Sequence, residues 1–139
     1  MLSKIAAERL DTVNPVLRDI IFEAEKIVPL TVFEGHRGEA AQNKAFAEKK
    51  SKLKWPNGKH NKLPSDAADV GPTYYENGTK IDWGDVIAFG RIMGVIQCLA
   101  HQRGVKLRFG LDWDGDFRSV NRDPDESFLD APHVEIVSP

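Results

Sequence analysis

The chain has 139 residues, of which 41% are hydrophobic and 29% are charged, and its formal net charge at pH 7 is -2. This length and composition fit one globular domain with a single core, and they exclude an intrinsically disordered chain. The small net charge gives no general reason to expect nucleic acid or an anionic membrane as a partner. The longest apolar stretch, around residues 86–100, is too short to insert into a membrane.

The N-terminal segment lacks the apolar stretch of a secretory signal, so we expect a protein made in the cytoplasm without an export signal. A single cysteine, Cys98, excludes an internal disulfide. It lies in an apolar run, and we therefore expect it to be a small buried hydrophobic residue.

The first half of the chain predicts two helices, one strand and a loop. Asn14-Pro15 is typical of an N-cap followed by proline at the first helical position, and Pro29 should end this helix. Thr31–Phe33 is a run of strand formers, and Glu39–Lys50 is rich in helix formers. Residues 51–66 contain several turn residues and predict a loop. The apolar face expected for the first helix comprises Val16, Ile20, Ala24 and Ile27.

The middle of the chain predicts a buried strand and a long helix. Ala67–Val70 is a short apolar run, and Asn77-Gly78 is a turn or hairpin signal. A largely apolar helix is expected from an N-cap at Asp82 to about Arg103, with Gly104 at its C-terminal cap.

The last part of the chain predicts two strands separated by a loop. Residues alternate between apolar and polar at Val105–Phe109 and at His133–Val137, with a loop at residues 110–130 between them. The predicted fold class is therefore α+β, a single domain with about three helices packed on a small, largely antiparallel sheet.

Two histidines have carboxylates at an informative spacing. His60 precedes Asp69 across a loop and a short strand, and Asp130 precedes His133 at the start of the last strand. Catalytic zinc takes three protein ligands and keeps one position open, while a further carboxylate accepts a proton. However, an isolated histidine is more often a surface or hydrogen-bonded residue. The spacing by itself therefore leaves both interpretations open.

Together these segments resemble a known family. Ser65-Asp66-Ala67-Ala68-Asp69 and Asp130-Ala131-Pro132-His133 are similar to motifs of the zinc D-alanyl-D-alanine carboxypeptidases and L-alanyl-D-glutamate peptidases. Glu34-Gly35-His36-Arg37, followed by Gln42, resembles that family's Glu-Gly-x-Arg segment with a downstream glutamine. Gly58 departs from the serine that many members have two residues before the first histidine. The resemblance covers nearly the whole chain and is strongest to small phage endolysins.

The resemblance implies the hedgehog/DD-peptidase fold and one zinc peptidase catalytic domain over residues 1–139, without a separate wall-binding domain. It also implies three Zn2+ ligands, a general base and an arginine that stabilises the oxyanion. These are the ligands His60, Asp69 and His133, the base Asp130 and the arginine Arg37. Glu135 follows His133 by two residues, so both point to the same side of a strand. It either orients an imidazole or is a structural carboxylate.

The implied function is that of a phage-type endolysin that hydrolyses the L-alanyl-D-glutamate bond of peptidoglycan. We expect a monomer that is made in the host cytoplasm and acts on the cell wall after release. A D-Ala-D-Ala carboxypeptidase with the same chemistry is one alternative, and a non-catalytic zinc-binding module is an alternative of another class. The presence of Asp130 and Arg37 favours an enzyme.

A second metal hypothesis concerns an acidic segment. Asp112, Asp114 and Asp116 stand at positions 1, 3 and 5 of a twelve-residue pattern that ends at Asp123, as in a Ca2+-binding loop. Phe117 occupies position 6, where such loops have glycine. Both a Ca2+ site and an ordinary acidic turn remain open.

Residues 49–62 contain six lysines. A solvated face is the default interpretation of such a loop, and nucleic-acid binding is a second. Given the resemblance, attraction to the anionic wall or to carboxylates of the substrate is a third. Trp83 and Trp113 are expected to contribute packing rather than a ligand platform.

Overall fold

The computed structural model describes residues 1–77, 80–118 and 129–137, which contain four α-helices and one sheet of four antiparallel strands. The helices are α1 Lys4–Leu10, α2 Pro15–Glu25, α3 Glu39–Ala47 and α4 Val86–Gln102. The strands are β1 Leu30–Glu34, β2 Ala67–Pro72, β3 Leu107–Phe109 and β4 His133–Ile136. Among the described residues, none of the helices is both long and apolar enough to cross a membrane.

Helix α1 is absent from the sequence-based prediction, which expected about three helices. Ser3 caps it by accepting a hydrogen bond from the Ala6 amide at 3.2 Å. A helix of seven residues is too short to be stable alone. The burial of Ala6 and Leu10 in the core, in a helix that packs on β1, supplies the missing stabilisation.

Helix α2 begins as predicted, with the Asn14 side chain accepting from the Val16 amide at 3.0 Å and Pro15 in the first turn. The expected apolar face is partly wrong, because Val16 and Ile27 are 48% and 63% exposed. The buried face is instead formed by Leu17, Ile20, Ile21 and Ala24. Helix α3 ends at Ala47, earlier than predicted, and Lys49 has a left-handed φ of 61°.

Helix α4 begins later than predicted. Its N-cap is Asp85, whereas Asp82 accepts from the Gly84 amide at 2.9 Å in a turn before the helix. Gly104 has a φ of +68° just past the C-terminus, as a helix-ending glycine should. The prediction that Cys98 is buried is wrong, because α4 buries only one face and Cys98 lies on the exposed one.

The strand order in the sheet is β1-β2-β4-β3. One face packs on the helices through Val32, Val70 and Val134, which are fully buried. The predicted α+β class is confirmed, with β3 starting at Leu107 rather than at Val105. The turn predicted at Asn77-Gly78 lies partly outside the described residues, and a short 3-10 turn, Thr73–Glu76, precedes it.

Candidate active site

Strand pairing places five polar residues side by side across the sheet. Glu34 of β1 pairs with Asp69 of β2, and Asp69 pairs with His133 of β4. Arg108 of β3 pairs with Glu135 of β4. Directly paired residues in antiparallel strands point to the same face. These five side chains therefore occupy the face that the helical core does not cover.

His60 reaches this face from a short 3-10 turn, Lys59–Asn61, in the predicted loop. Its ring is buried, and Nδ1 lies 2.7 Å from the carbonyl oxygen of Gly35. Because a carbonyl oxygen can only accept a hydrogen bond, Nδ1 carries the proton and Nε2 keeps its lone pair. The lone pair of Nε2 is thus available to a metal ion.

Three side-chain atoms from distant parts of the sequence form a small triangle. His60 Nε2 lies 3.3 Å from His133 Nδ1 and 3.2 Å from Asp69 Oδ1, and the third side measures 3.6 Å. A tetrahedral ion with bonds of about 2.0–2.1 Å requires ligand atoms that are about 3.3–3.4 Å apart. Two imidazole nitrogens and one carboxylate oxygen also form a donor set that suits zinc.

The charge state of the triangle also fits a cation. Asp69 Oδ1 is buried and accepts no hydrogen bond from the described residues. Burial raises the pKa of Asp69, but the neighbouring imidazoles of His60 and His133 bring that pKa well below its usual range. Burial lowers the pKa of His133, yet Asp69 and Glu135 raise it to about 9. The triangle therefore attracts a positive charge, which is a proton on His133 when no metal is bound.

Glu135 holds the other side of the His133 ring. Its Oε1 lies 2.8 Å from His133 Nε2, and its Oε2 lies 3.3 Å from Nη2 of Arg108. The carboxylate is almost fully buried. An acceptor at Nε2 keeps the proton on that nitrogen and directs the Nδ1 lone pair into the triangle. Glu135 and His133 thus lie on the same side of β4, as predicted.

Asp130 lies next to the triangle without being part of it. Its Oδ2 is 3.8 Å from His133 Nδ1. Burial and the charge of Asp69 raise the pKa of Asp130 to about 6. Its backbone amide donates to the carbonyl of Gly110 at 2.9 Å, and a Cβ atom at Gly110 would overlap the Asp130 carbonyl oxygen. Glycine at position 110 therefore permits the close approach that places Asp130 in the site.

Arg37 approaches the triangle from the other side of Asp69. Its Nε and Nη2 donate to the two carboxylate oxygens of Glu34 at 2.8 and 2.7 Å, and Nη2 lies 3.6 Å from Asp69 Oδ2. Although burial lowers the pKa of Arg37, the carboxylate of Glu34 raises it, so the guanidinium stays charged. The bidentate contact fixes its plane beside the candidate metal ligands.

Gln42 is a site residue that local sequence patterns did not identify. It is 1% exposed, and its Oε1 accepts from Arg37 Nη1 and from Asn61 Nδ2, both at 3.1 Å. Its Nε2 donates to the carbonyl of Leu53 at 2.6 Å. Gln42 therefore joins Arg37, the turn that carries His60 and the lysine-rich loop. The one sequence signal for Gln42 was the resemblance of the segment from Glu34 to Gln42 to the family's Glu-Gly-x-Arg segment with a downstream glutamine.

Trp113 is a second site residue that the sequence did not identify, since packing was expected of it. Its ring lies 5.3 Å from that of His133, and the guanidinium of Arg108 lies 5.2 Å from its centre. Trp113, Arg108 and His133 all line a cavity of about 380 Å3 that also reaches Arg37 and His60. Trp83, by contrast, packs against Phe33 and Phe89 away from this cavity, as expected.

The acidic segment after β3 brings Asp112, Asp114 and Asp116 together, with carboxylate oxygens within 4.8 Å of one another. Phe117 donates its amide to Asp112 Oδ2 at 2.9 Å, and it has a left-handed φ of 65° although it is not glycine. Asp112 Oδ1 is buried and accepts no hydrogen bond from the described residues. Asp123, which the pattern places at position 12, lies outside the described residues.

The chain and its fold are similar to those of known L-alanyl-D-glutamate peptidases. The family model described as phage L-alanyl-D-glutamate peptidase matches residues 1–137. The chain is 34% identical over 138 residues to the L-alanyl-D-glutamate peptidase of Escherichia phage T5. The alignment covers 96% of each protein. The fold is similar to the crystal structure of the Serratia marcescens L-Ala D-Glu endopeptidase ChiX, with a TM-score of 0.70 and 22% identity, over 99% of this chain and 90% of the other.

Proposed function

Because this chain belongs to the phage L-alanyl-D-glutamate peptidase family, we propose that it is a zinc peptidase that hydrolyses the L-alanyl-D-glutamate bond of peptidoglycan. The observation that carries the proposal is the triangle of His60, Asp69 and His133, with Asp130 and Arg37 beside it. These residues combine three candidate metal ligands, a proton acceptor and a cation in one site. Such a set matches hydrolysis of a peptide bond without a covalent enzyme intermediate.

The metal ligands in this proposal are His60 Nε2, Asp69 Oδ1 and His133 Nδ1. When bound, zinc supplies Lewis acidity that polarises a carbonyl group and makes water more acidic. Glu135 keeps the His133 ring in the orientation that ligation requires. Loss of Glu135 is therefore expected to weaken metal binding rather than to abolish proton transfer.

Asp130 is the proposed general base and acid. A carboxylate with a pKa near 6 is mostly ionised at neutral pH, so Asp130 can accept a proton from the attacking water. It then donates that proton to the amine that leaves. Arg37, held by Glu34 and Gln42, donates hydrogen bonds to the oxygen that gains negative charge in the tetrahedral transition state.

Digestion of purified peptidoglycan tests which bond is cut. We expect mass spectrometry of the products to show fragments with a new N-terminal D-glutamate. Release of free D-alanine would instead support the D-Ala-D-Ala carboxypeptidase alternative. No cleavage of either bond by the metal-loaded protein would support the non-catalytic module.

The identity of the metal requires its own experiment. Protein purified without chelator is expected to contain about one Zn2+ per chain by elemental mass spectrometry. Removal with a chelator should abolish wall clearing in zymograms, and added Zn2+ should restore it. Clearing that survives complete removal of metal would contradict the zinc mechanism.

We propose that the acidic segment binds a second ion. Asp112, Asp114 and Asp116 provide hard oxygen ligands, and the left-handed Phe117 gives the turn that a Ca2+ loop requires. We expect calorimetry to detect Ca2+ binding at millimolar concentrations or below, and expect Asp114→Asn to weaken it. If the wild-type protein does not bind Ca2+, the segment is an ordinary acidic turn.

The biological setting follows from the same family. We infer that the chain acts on the bacterial cell wall as a phage-type endolysin, made in the host cytoplasm and active after release. We also infer that residues 1–139 act as one monomeric catalytic domain. Light scattering should give the mass of one chain, and a stable dimer would contradict this inference.

A further inference from the structure

The cavity beside the candidate metal ligands has the opposite charge from the protein as a whole. The formal net charge of the chain is -2, yet the cavity lining contains five cationic side chains and only two carboxylates outside the metal triangle. The cations are Arg37, Lys50, Lys52, Lys59 and Arg108, and the carboxylates are Asp130 and Glu135. A cavity lined mainly by one sign of charge attracts ligands of the other sign.

Two of these cations, Arg37 and Lys50, pair with carboxylates that do not line the cavity. Arg37 is fixed by both oxygens of Glu34, and Lys50 lies 3.4 Å from Glu48 with most of its side chain in solvent. The other three lining cations are Arg108 of β3, Lys59 and, on the loop after α3, Lys52. Lys59 donates to the carbonyl of Ile136 at 3.4 Å, which places its ammonium group beside β4.

Arg108 is the best-placed of these three. Its Nη2 lies 3.3 Å from Glu135, and its guanidinium lies 5.2 Å from the centre of the Trp113 ring. Half of the side chain is exposed, so part of the guanidinium fork faces the cavity. A planar guanidinium that is held by an aromatic ring and one carboxylate can still donate other N–H groups to a second carboxylate.

The substrate of the proposed reaction carries a suitable anion. A glutamyl residue within a peptide uses its amino group and one of its two carboxyl groups. The other carboxyl group remains as a carboxylate unless it is amidated. It lies within one residue, about 3.5 Å of chain, of the bond that is cut. Arg108 is separated from the ligand atom of His133 by only one carboxylate and one imidazole ring.

We propose that Arg108, with Lys52 and Lys59, forms a subsite that binds the free carboxylate of the D-glutamyl residue on the amine side of the scissile bond. This inference rests on the proposed function. It makes Arg108 a determinant of specificity, because it separates substrates with a free carboxylate from those with an amide at that position. Trp113 holds the guanidinium in place.

The test compares two synthetic peptides, L-Ala-D-Glu-L-Lys chains that continue through the γ-carboxyl group. One carries the α-carboxylate, and the other carries an α-carboxamide. We expect the zinc-loaded wild-type protein to show a kcat/KM about 10-fold to 100-fold higher for the carboxylate, the usual range for a hydrogen bond to a charged group. The Arg108→Gln variant should bring the two peptides within about threefold of each other.

The ratio of the two kcat/KM values separates recognition from damage to the metal site. Loss of the contact with Glu135 in Arg108→Gln would lower both rates and leave the ratio unchanged. Lys52→Gln removes one cation of the subsite from an exposed loop, and it should lower the ratio in part. Lys106→Gln is the matched control, because it removes one positive charge close to β3 outside this cavity and should keep the wild-type ratio.

The two proposals fail in different ways. If the wild-type protein cuts neither peptide although it contains zinc, the proposed function is wrong. If it cuts both peptides equally well, the function stands and the carboxylate subsite is wrong. A preference for the carboxylate that is unchanged in both Arg108→Gln and Lys52→Gln would also overturn the subsite.

Discussion

The Asp130→Asn substitution exchanges one carboxylate oxygen for an amide group and changes little else in the site. The backbone at this position is held independently of the side chain, since the Asp130 amide donates to Gly110 and its carbonyl accepts from His133. The side chain is 26% exposed, so the new amide can form hydrogen bonds with water. We therefore expect the variant to fold normally.

The effects on metal and on activity should differ. Asp130 Oδ2 lies 3.8 Å from His133 Nδ1, beyond hydrogen-bond distance, and is not one of the three candidate ligand atoms. Zinc content should therefore stay near one ion per chain. The hydrolysis rate, by contrast, should fall by about 100-fold to 10,000-fold, the usual contribution of a general base.

Elemental analysis and a peptidoglycan-clearing assay on the same preparations give both quantities. Asp19→Asn is a matched control, because it makes the same chemical change at an exposed position of α2 and should retain wild-type activity. An Asp130→Asn protein that holds zinc and keeps activity within a factor of about ten would refute the role of this carboxylate as base.

Three further predictions concern the metal ligands and their surroundings. Glu135→Gln should weaken zinc binding about 10-fold to 100-fold in competition with a chelator, since the acceptor beside His133 loses its charge; unchanged affinity would contradict an orienting role. Zinc binding at pH 7.5 should release about one proton, because a pKa near 9 keeps metal-free His133 protonated, and affinity should rise with pH up to that value. Calorimetry in buffers of different ionisation enthalpy measures this number, and a value near zero would argue against His133 as ligand. Gln42→Leu should lower the free energy of unfolding by about 2 kcal/mol in urea and lower kcat more than KM changes, because Arg37 loses a buried partner; a normal kcat would show that Arg37 needs no such support.

Local signals in the sequence predicted the main elements of the fold well. The Asn14-Pro15 cap, the strand at Ala67 and the glycine after α4 act through neighbouring residues, so their pattern can be read without knowledge of the fold. Helix α1 was not predicted from the sequence, because its stability comes from contacts with β1 rather than from its own seven residues. The exposed Cys98 shows the same limit, since an apolar run does not reveal which face of a helix meets the core.

The candidate site also contains some residues that the sequence predicted and others that only the structure identified. Residue types, spacing and resemblance were enough to name His60, Asp69 and His133, because a ligand set is a matter of chemistry and chain order. Their triangle arises only when β2 pairs with β4 and the turn at His60 folds over both strands. Arg108 has no local signature, and Gln42 has only its place in the family-like segment, because their roles come from contacts with residues far along the chain. The sequence by itself thus determined the candidate chemistry, and the tertiary structure decided the geometry around it, since hydrogen bonds and charges act through distance in space.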